Sequence, residues 1–230
     1  MSFDFSGWTL VFDLDGTLVE TAPDLHAALN HTLAHKGLAP VTLDTIRMMI
    51  GDGAKAMIRK GLDFHQAPID QAEIDKTLWP IFLDFYSAHI TRLSTPFEDS
   101  MSCLSALQQD GATLAVCTNK AQGLAEQVLS GLQMDRQFIA IVGGDELPVK
   151  NPNAHHLLET IARSGGNPAR AIMVGDSQTD EKAARNAGLP FVFVSFGYGT
   201  LSGQPYERLR SIDHWRDMQQ ALSQLAAGRP

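Results

Sequence analysis

The chain has 230 residues, 44% hydrophobic and 19% charged, with 18 Lys and Arg against 26 Asp and Glu and a formal charge of -8. A chain of this length buries roughly 72% of its unfolded surface, so a sizeable core forms without staples, which excludes the disordered and disulfide-scaffold classes. The acid excess leaves no spare positive charge for a nucleic-acid backbone or an anionic membrane, while still permitting one small anionic ligand.

The first apolar run, Trp8 to Phe12, is continuous rather than alternating, the pattern of a strand covered on both faces. It leads into Asp13-Leu14-Asp15-Gly16-Thr17-Leu18, where residues two apart project to one side beyond a strand end. A helical stretch follows, with Leu25, Ala28, Leu29, Thr32 and Leu33 on one face, then the loop Ile50-Gly51-Asp52-Gly53 and a second stripe, Ala54, Met57, Ile58 and Leu62. Asp70 and Glu73 read as a capping box for a helix carrying Ile74, Leu78, Ile81, Phe82 and Phe85, in which Pro80 predicts a kink or break. The stripes read as core packing.

Beyond Arg92 to Glu98 the pattern changes to strands alternating with helices. Runs at Ala112 to Cys117, Phe138 to Val142, Ala171 to Val174 and Phe191 to Phe196 are separated by helical segments Gln122 to Leu129, Ala154 to Ala162 and Asp180 to Asn186. A further helix, Ser102 to Asp110, precedes the first of these runs, and Gly111 and Gly188 lie at helix stops. This is a doubly wound α/β core with a parallel, Rossmann-like sheet. The connection from Phe12 to Ala112 spans 100 residues. A βαβ crossover needs only about 30, so roughly 70 residues are inserted after the first strand. The expected organisation is a core unit of residues 1–17 and 96–230 and a helical unit of 18–95, with hinges at Leu18 to Thr21 and Arg92 to Glu98.

The chemistry gathers at strand ends. Two carboxylates ~4 Å apart repel by about 4 kcal/mol at an effective dielectric near 20, so Asp13 and Asp15 call for a cation. The fourth run of the core ends Gly175-Asp176-Ser177-Gln178-Thr179-Asp180, adding Asp176 and Asp180. Each aspartate alone could be a turn former or an N-cap; four oxygen donors at two strand ends fit Mg²⁺. The second run ends Thr118-Asn119-Lys120, a hydroxyl, an amide and a cation suited to a phosphate, although Thr118 reads equally as a helix N-cap. Gly143-Gly144-Asp145 opens a loop carrying Lys150, Asn151 and Pro152.

Cys103 and Cys117 lie in apolar stretches without metal-ligand spacing and read as buried thiols. His155-His156 reads as a partly exposed pair. Gly51-Asp52-Gly53 fails as a dinucleotide loop, because no strand precedes it and the third glycine position is Ala56. No apolar run approaches the ~20 residues of a membrane span, and the first residues lack the basic start and apolar run of a signal peptide, so a cytoplasmic location is expected.

Taken together, the Asp13 to Thr17 motif, Thr118-Asn119, the lysine loop and Gly175 to Asp180 resemble the phosphatase branch of the haloacid dehalogenase superfamily over nearly the whole chain. The insertion looks like that family's helical cap. The Ile50 to Gly53 loop, Val116 to Lys120 and Gly143 to Asp145 look most like its phosphoglycolate phosphatases. The resemblance implies Asp13 as nucleophile forming an aspartyl-phosphate and Asp15 as acid and then base. It also implies Mg²⁺ on Asp13, the Asp15 carbonyl and Asp176 with Asp180 in support, and Thr118 and Asn119 on the phosphoryl oxygens. A small phosphorylated metabolite, 2-phosphoglycolate first, is the implied substrate, with the cap loop at Gly51 near it; Arg47 and Lys55, which flank that loop, read as contacts for a substrate anion or as solvated surface residues.

The family's lysine stands directly before the proline, where this chain has Asn151. Lys150, one residue earlier, is the expected catalytic lysine and Lys120 the alternative. If neither reaches the site, a catalytically weak phosphate-binding or regulatory protein of the same fold is the competing reading. A carbon-halogen hydrolase is disfavoured by Asp15, and a receiver domain by the insertion.

Overall fold

A computed structural model describes residues 3–201 and 203–228. Met1, Ser2, Ser202, Arg229 and Pro230, which the expected core unit takes in, lie outside the described residues. In chain order the strands are β1 (Thr9–Phe12), β2 (Val19–Glu20), β3 (Thr95–Pro96), β4 (Thr113–Cys117), β5 (Ala140–Val142), β6 (Ala171–Gly175), β7 (Phe191–Val194) and β8 (Leu209–Ile212). The helices are α1 (Ala22–His35), α2 (Leu43–Arg47), α3 (Ala54–Phe64), α4 (Gln71–Glu73), α5 (Trp79–Ala88), α6 (Ser100–Gln109), α7 (Gln122–Gly131), α8 (Ala154–Arg163), α9 (Gln178–Asn186) and α10 (Met218–Ala227).

Six strands form one parallel sheet in the order β5-β4-β1-β6-β7-β8. Strand residues alternate between two apolar layers, as a period of two requires. Leu10, Phe12, Val116, Ile172, Val174 and Val192 enter one layer with residues of α6, α7 and α10. Val11, Ala115, Cys117, Met173 and Phe191 enter the other with Leu157 and Ile161 of α8 and Ala183 and Ala184 of α9. The sheet is therefore sandwiched by helices, the doubly wound arrangement read from the continuous apolar runs.

Helices α1 to α5 all lie between β1 and β4. Where the chain leaves and returns, β2 and β3 pair antiparallel, Val19 with Pro96 and Glu20 with Thr95. Asp24, 2% exposed, fastens this junction: its carboxylate accepts from the main-chain N–H groups of Leu93 and Ser94 and from the Ser94 hydroxyl at 2.6 Å.

Several local readings differ from the sequence expectation. Pro80 does not break its helix: a π-helical turn, Ile74–Leu78, leads directly into α5, and the wider turn accommodates a residue with no N–H to donate. Asp70 does cap α4 by accepting from Ala72, but Glu73 reaches across to Lys36 at 2.6 Å, so the reciprocal half of the capping box is not made. The edge strand β8 and helix α10 were not anticipated. At an edge, Arg210 and Ser211 break the apolar run by which the inner strands announce themselves.

Candidate active site

The functional side chains begin where the ladder is still holding the backbone. Asp13 N–H donates to Val174 O at 2.9 Å and Thr118 N–H to Val142 O at 3.1 Å, which sets both residues at the carboxyl edge of the sheet. Asp176 follows at the end of β6. The chain turns sharply after Asp15 because Gly16 adopts φ +86°, and a Cβ there would lie 2.5 Å from Asp176 Oδ2. Gly175 likewise makes room for Asp180, whose carboxyl carbon would sit 2.5 Å from an added Cβ.

Ser177 and Asp180 form a capping box at the start of α9: Asp180 Oδ2 accepts from the Ser177 hydroxyl at 2.6 Å, and the Ser177 oxygen accepts from Asp180 N–H. Asp180 is thus a capping residue that also faces the site. Asp13, Asp176 and Asp180 are all buried, and one oxygen of each lies within 4.8 Å of the others. Burial, followed by repulsion from Asp180, Asp176 and Asp15, drives the Asp13 carboxyl well above the usual carboxylate range, against a hydrogen bond from Thr118. Burial raises Asp176 to about 6, opposed by hydrogen bonds from the N–H groups of Tyr198 and Gly199, and burial with the Asp176 charge raises Asp180 to about 7. Three crowded carboxylates that offer oxygen donors fit a hard divalent cation such as Mg²⁺.

Asp15 is treated differently. Its Oδ1 accepts from the Thr21 hydroxyl at 2.7 Å and from Lys120 Nζ at 3.0 Å, with Lys120 at 3.3 Å from Oδ2. Lys120 is buried, donates to the Tyr86 hydroxyl at 2.8 Å and lies 4.7 Å from the Tyr86 ring centre. Burial alone would lower its pKa; the Asp15 charge and the Tyr86 contact outweigh it and keep the ammonium charged.

These residues floor a cleft. Asp13, Asp15, Thr118, Asn119 and Lys120 line it from the sheet edge, while Leu25, Met57, Trp79, Phe82 and Tyr86 roof it from the inserted helices, with Gly51 and Gly53 at one side. The roof is apolar, so a ligand there is shielded from water and the polar groups of the floor act in a low local dielectric.

Other expected site residues are engaged elsewhere. Lys150 is exposed and donates to the main-chain carbonyl of Asp52 at 2.6 Å, so it joins two loops and does not line the cleft. Arg47 pairs with Glu20 and Asp44, and Lys55 with Asp75, and neither lines the cleft. Asn119 lines it, yet its amide N–H₂ is committed to the carbonyls of Gly51 and Asn151 at 3.1 and 3.2 Å. Thr118 is not a helix cap, since α7 begins after Ala121; its Oγ1 instead accepts from Lys120 N–H.

Asn151 is buried, and so is His156, correcting the expectation of a partly exposed histidine pair; His155 alone is exposed. His156 Nε2 faces Gly143 O at 3.1 Å and Nδ1 faces Asn151 N–H at 3.2 Å, an arrangement satisfied by the neutral ring protonated on Nε2. Burial lowers the His156 pKa in keeping with that form. Cys117 packs against the same ring and burial pushes its thiol up to about 12, whereas Cys103 is only half-buried.

Three participants escaped the sequence reading: Tyr86, Tyr198 and Thr21. Tyr198 N–H donates to Asp176 Oδ2 at 2.6 Å, and its hydroxyl accepts from the N–H groups of Thr21 and Ala22 and donates to Glu20. No spacing marks these residues in the chain. The Ser177 box, by contrast, was readable as Ser-x-x-Asp before a helix.

Residues 10–194 match the family model described as haloacid dehalogenase-like hydrolase. Among curated proteins, the chain is 46% identical over 188 residues to a phosphoglycolate phosphatase of Agrobacterium fabrum, covering 82% of this chain and 80% of that one. It is 44% identical over 206 residues to a phosphoglycolate phosphatase of Caulobacter vibrioides, covering 90% and 85%. Among solved structures, a predicted phosphoglycolate phosphatase from Haemophilus somnus 129pt superposes with a TM-score of 0.83 at 27% identity, covering 94% of this chain and 97% of that one.

Proposed function

The chain belongs to the haloacid dehalogenase-like hydrolases, in their phosphatase branch, and on that premise we propose that it is a Mg²⁺-dependent hydrolase of small phosphomonoesters, 2-phosphoglycolate first. The observation that carries this reading is the convergence of buried Asp176 and Asp180 on Asp13, which with Asp15 lines the floor of a cleft roofed by inserted helices. Residues 18–95 are the cap, which selects the substrate, and residues 1–17 and 96–230 are the catalytic core. A cytoplasmic setting belongs to the same reading: among the described residues no helix is long and apolar enough to cross a membrane, and both cysteines are free thiols.

Asp13 is the nucleophile. One of its oxygens attacks phosphorus, the bond to the leaving oxygen breaks, and an aspartyl-phosphate forms; Asp15 gives its proton to the leaving alkoxide. Asp15 then takes a proton from water as the water attacks the phosphoryl group and restores Asp13. Thr118, whose hydroxyl already serves Asp13, orients the phosphoryl oxygens. Asp13, Asp176, Asp180 and the main-chain carbonyl of Asp15 would hold Mg²⁺, which supplies positive charge against the phosphoryl oxygens. The crowding of three buried carboxylates, with one oxygen of each within 4.8 Å of the others, supports that assignment. The proposal does not use Arg47, Lys55 or Lys150, which bind other partners.

The competing reading, a catalytically weak phosphate-binding or regulatory protein, finds no support in relatives that carry the name of an enzyme. The test is phosphate release from a panel of esters that includes 2-phosphoglycolate, with MgCl₂ and with a chelator. Metal-dependent release that disappears in Asp13→Asn is expected; no release from any ester would sink the proposal.

A further inference from the structure

Asp13 and Asp15 line the cleft, and an incoming phosphate adds further negative charge there. Among the described residues lining it, Lys120 is the only basic one. It is held by two residues: both Asp15 oxygens, and Tyr86, whose hydroxyl accepts from the ammonium and whose ring centre lies 4.7 Å from it. Its side chain is 4% exposed, against 14% for Asp15, so water does not compete strongly for the contact. Tyr86 belongs to α5 in the insertion and Lys120 follows β4 in the core, so the Lys120 to Asp15 contact is completed by a residue from the roof.

We propose that Lys120 is the positioning residue of this site, holding Asp15 at the leaving-group side of the cleft with its ammonium anchored by Tyr86. This assignment rests on the hydrolase reading above. A carboxyl that must donate a proton to a leaving oxygen and later accept one from water needs one orientation for both steps, and a buried ammonium that contacts both its oxygens and is itself anchored by a third group supplies it. The Thr21 hydroxyl on Asp15 Oδ1 completes the support from the residue that precedes α1. Lys150, one residue before Asn151, is fastened to the Asp52 carbonyl and does not compete for the role.

The assignment separates positioning from simple charge by the leaving group. An alkyl phosphate such as 2-phosphoglycolate expels a basic alkoxide and depends on the acid; p-nitrophenyl phosphate expels a stable phenolate and hardly needs it. The informative constant is kcat/KM, which reports the first phosphoryl transfer and is insensitive to later hydrolysis of the aspartyl-phosphate. Lys120→Met is expected to lower kcat/KM on 2-phosphoglycolate by about 10²-fold and on p-nitrophenyl phosphate by less than about tenfold. Lys120→Arg, which keeps the charge, is expected to lose less on the alkyl ester. Tyr86→Phe keeps the buried ring, is expected to fold and to show the same leaving-group dependence with smaller losses, so the test survives if Lys120→Met does not fold. Equal losses on both esters in the folded variants would overturn the assignment, as would a greater loss in Lys150→Met than in Lys120→Met. If the wild-type chain hydrolyses neither ester with Mg²⁺, both readings fall; if it hydrolyses them and Lys120→Met and Tyr86→Phe match it on both, only the Lys120 assignment falls.

Discussion

Tyr198 donates its main-chain N–H to Asp176 Oδ2 at 2.6 Å while its phenol oxygen accepts from Thr21 N–H at 2.7 Å and Ala22 N–H at 3.0 Å. One residue therefore ties an acid of the buried cluster to the start of α1, the first of the inserted helices. The two amides belong to the start of α1, where helical N–H groups have no intrahelical partner. Tyr198→Phe removes their acceptor and the donor to Glu20, and should destabilise the protein by about 1–3 kcal/mol. Because Thr21 also holds Asp15, turnover should fall with stability. Urea denaturation of the variant checks the first part and steady-state kinetics the second; an unchanged midpoint would show that the phenol does not secure the start of α1.

The opposite side of the same junction depends on Asp24. Replacing it with Ala leaves the N–H groups of Leu93 and Ser94 and the Ser94 hydroxyl without their buried acceptor. Hydrogen bonds to a charged acceptor and the desolvation left behind point to a loss of about 3 kcal/mol. Asp24→Asn retains one acceptor oxygen and should lose less. Thermal melting of the pair measures this, and equal melting points for Asp24→Ala and wild type would exclude the carboxylate as the fastening.

What was readable in the chain follows from what is locally encoded. The four inner strands and the edge strand β5 are continuous apolar runs because both their faces are covered, and the strand-end acids stand at fixed offsets from those runs; both facts are linear in sequence. The insertion showed itself through the 100-residue connection from Phe12 to Ala112. The edge strand β8 lacked such a run, and the π turn before Pro80 has no simple residue signature. The site was legible as far as Asp13, Asp15, Thr118, Asp176 and Asp180. It was not legible in its long-range partners: Lys120 meets Tyr86 across 34 positions, and Tyr198 meets Thr21 across 177. Lys150, Arg47 and Lys55 had the right charge, but flexible surface side chains take whichever acceptor the fold brings nearest, here Asp52 O, Glu20 with Asp44, and Asp75.

The crowding of Asp13, Asp176 and Asp180 has a pH signature in the metal-free protein. All three carboxyls are raised in the folded chain, Asp176 to about 6 and Asp180 to about 7, from an unfolded value of 3.8. A raised folded pKa means the native state holds more protons than the unfolded state between those values, so stability is full below about pH 4 for these groups and is lost as pH rises through about 6 to 7. His156 has the reverse sign: its lowered pKa favours the fold above about 6.5 and costs stability as pH falls through its folded value. Comparing wild type with Asp180→Asn separates the two, because the variant keeps His156 and removes one charge of the cluster. In chelator, the wild-type melting temperature should drop between pH 5 and pH 8 by several degrees more than that of Asp180→Asn. MgCl₂ should raise the wild-type melting temperature more at pH 8, where the carboxylates are ionised and free of protons, than at pH 5. Parallel pH profiles for the two proteins, or a Mg²⁺ effect that is larger at pH 5, would contradict a repulsive cluster built to receive a cation.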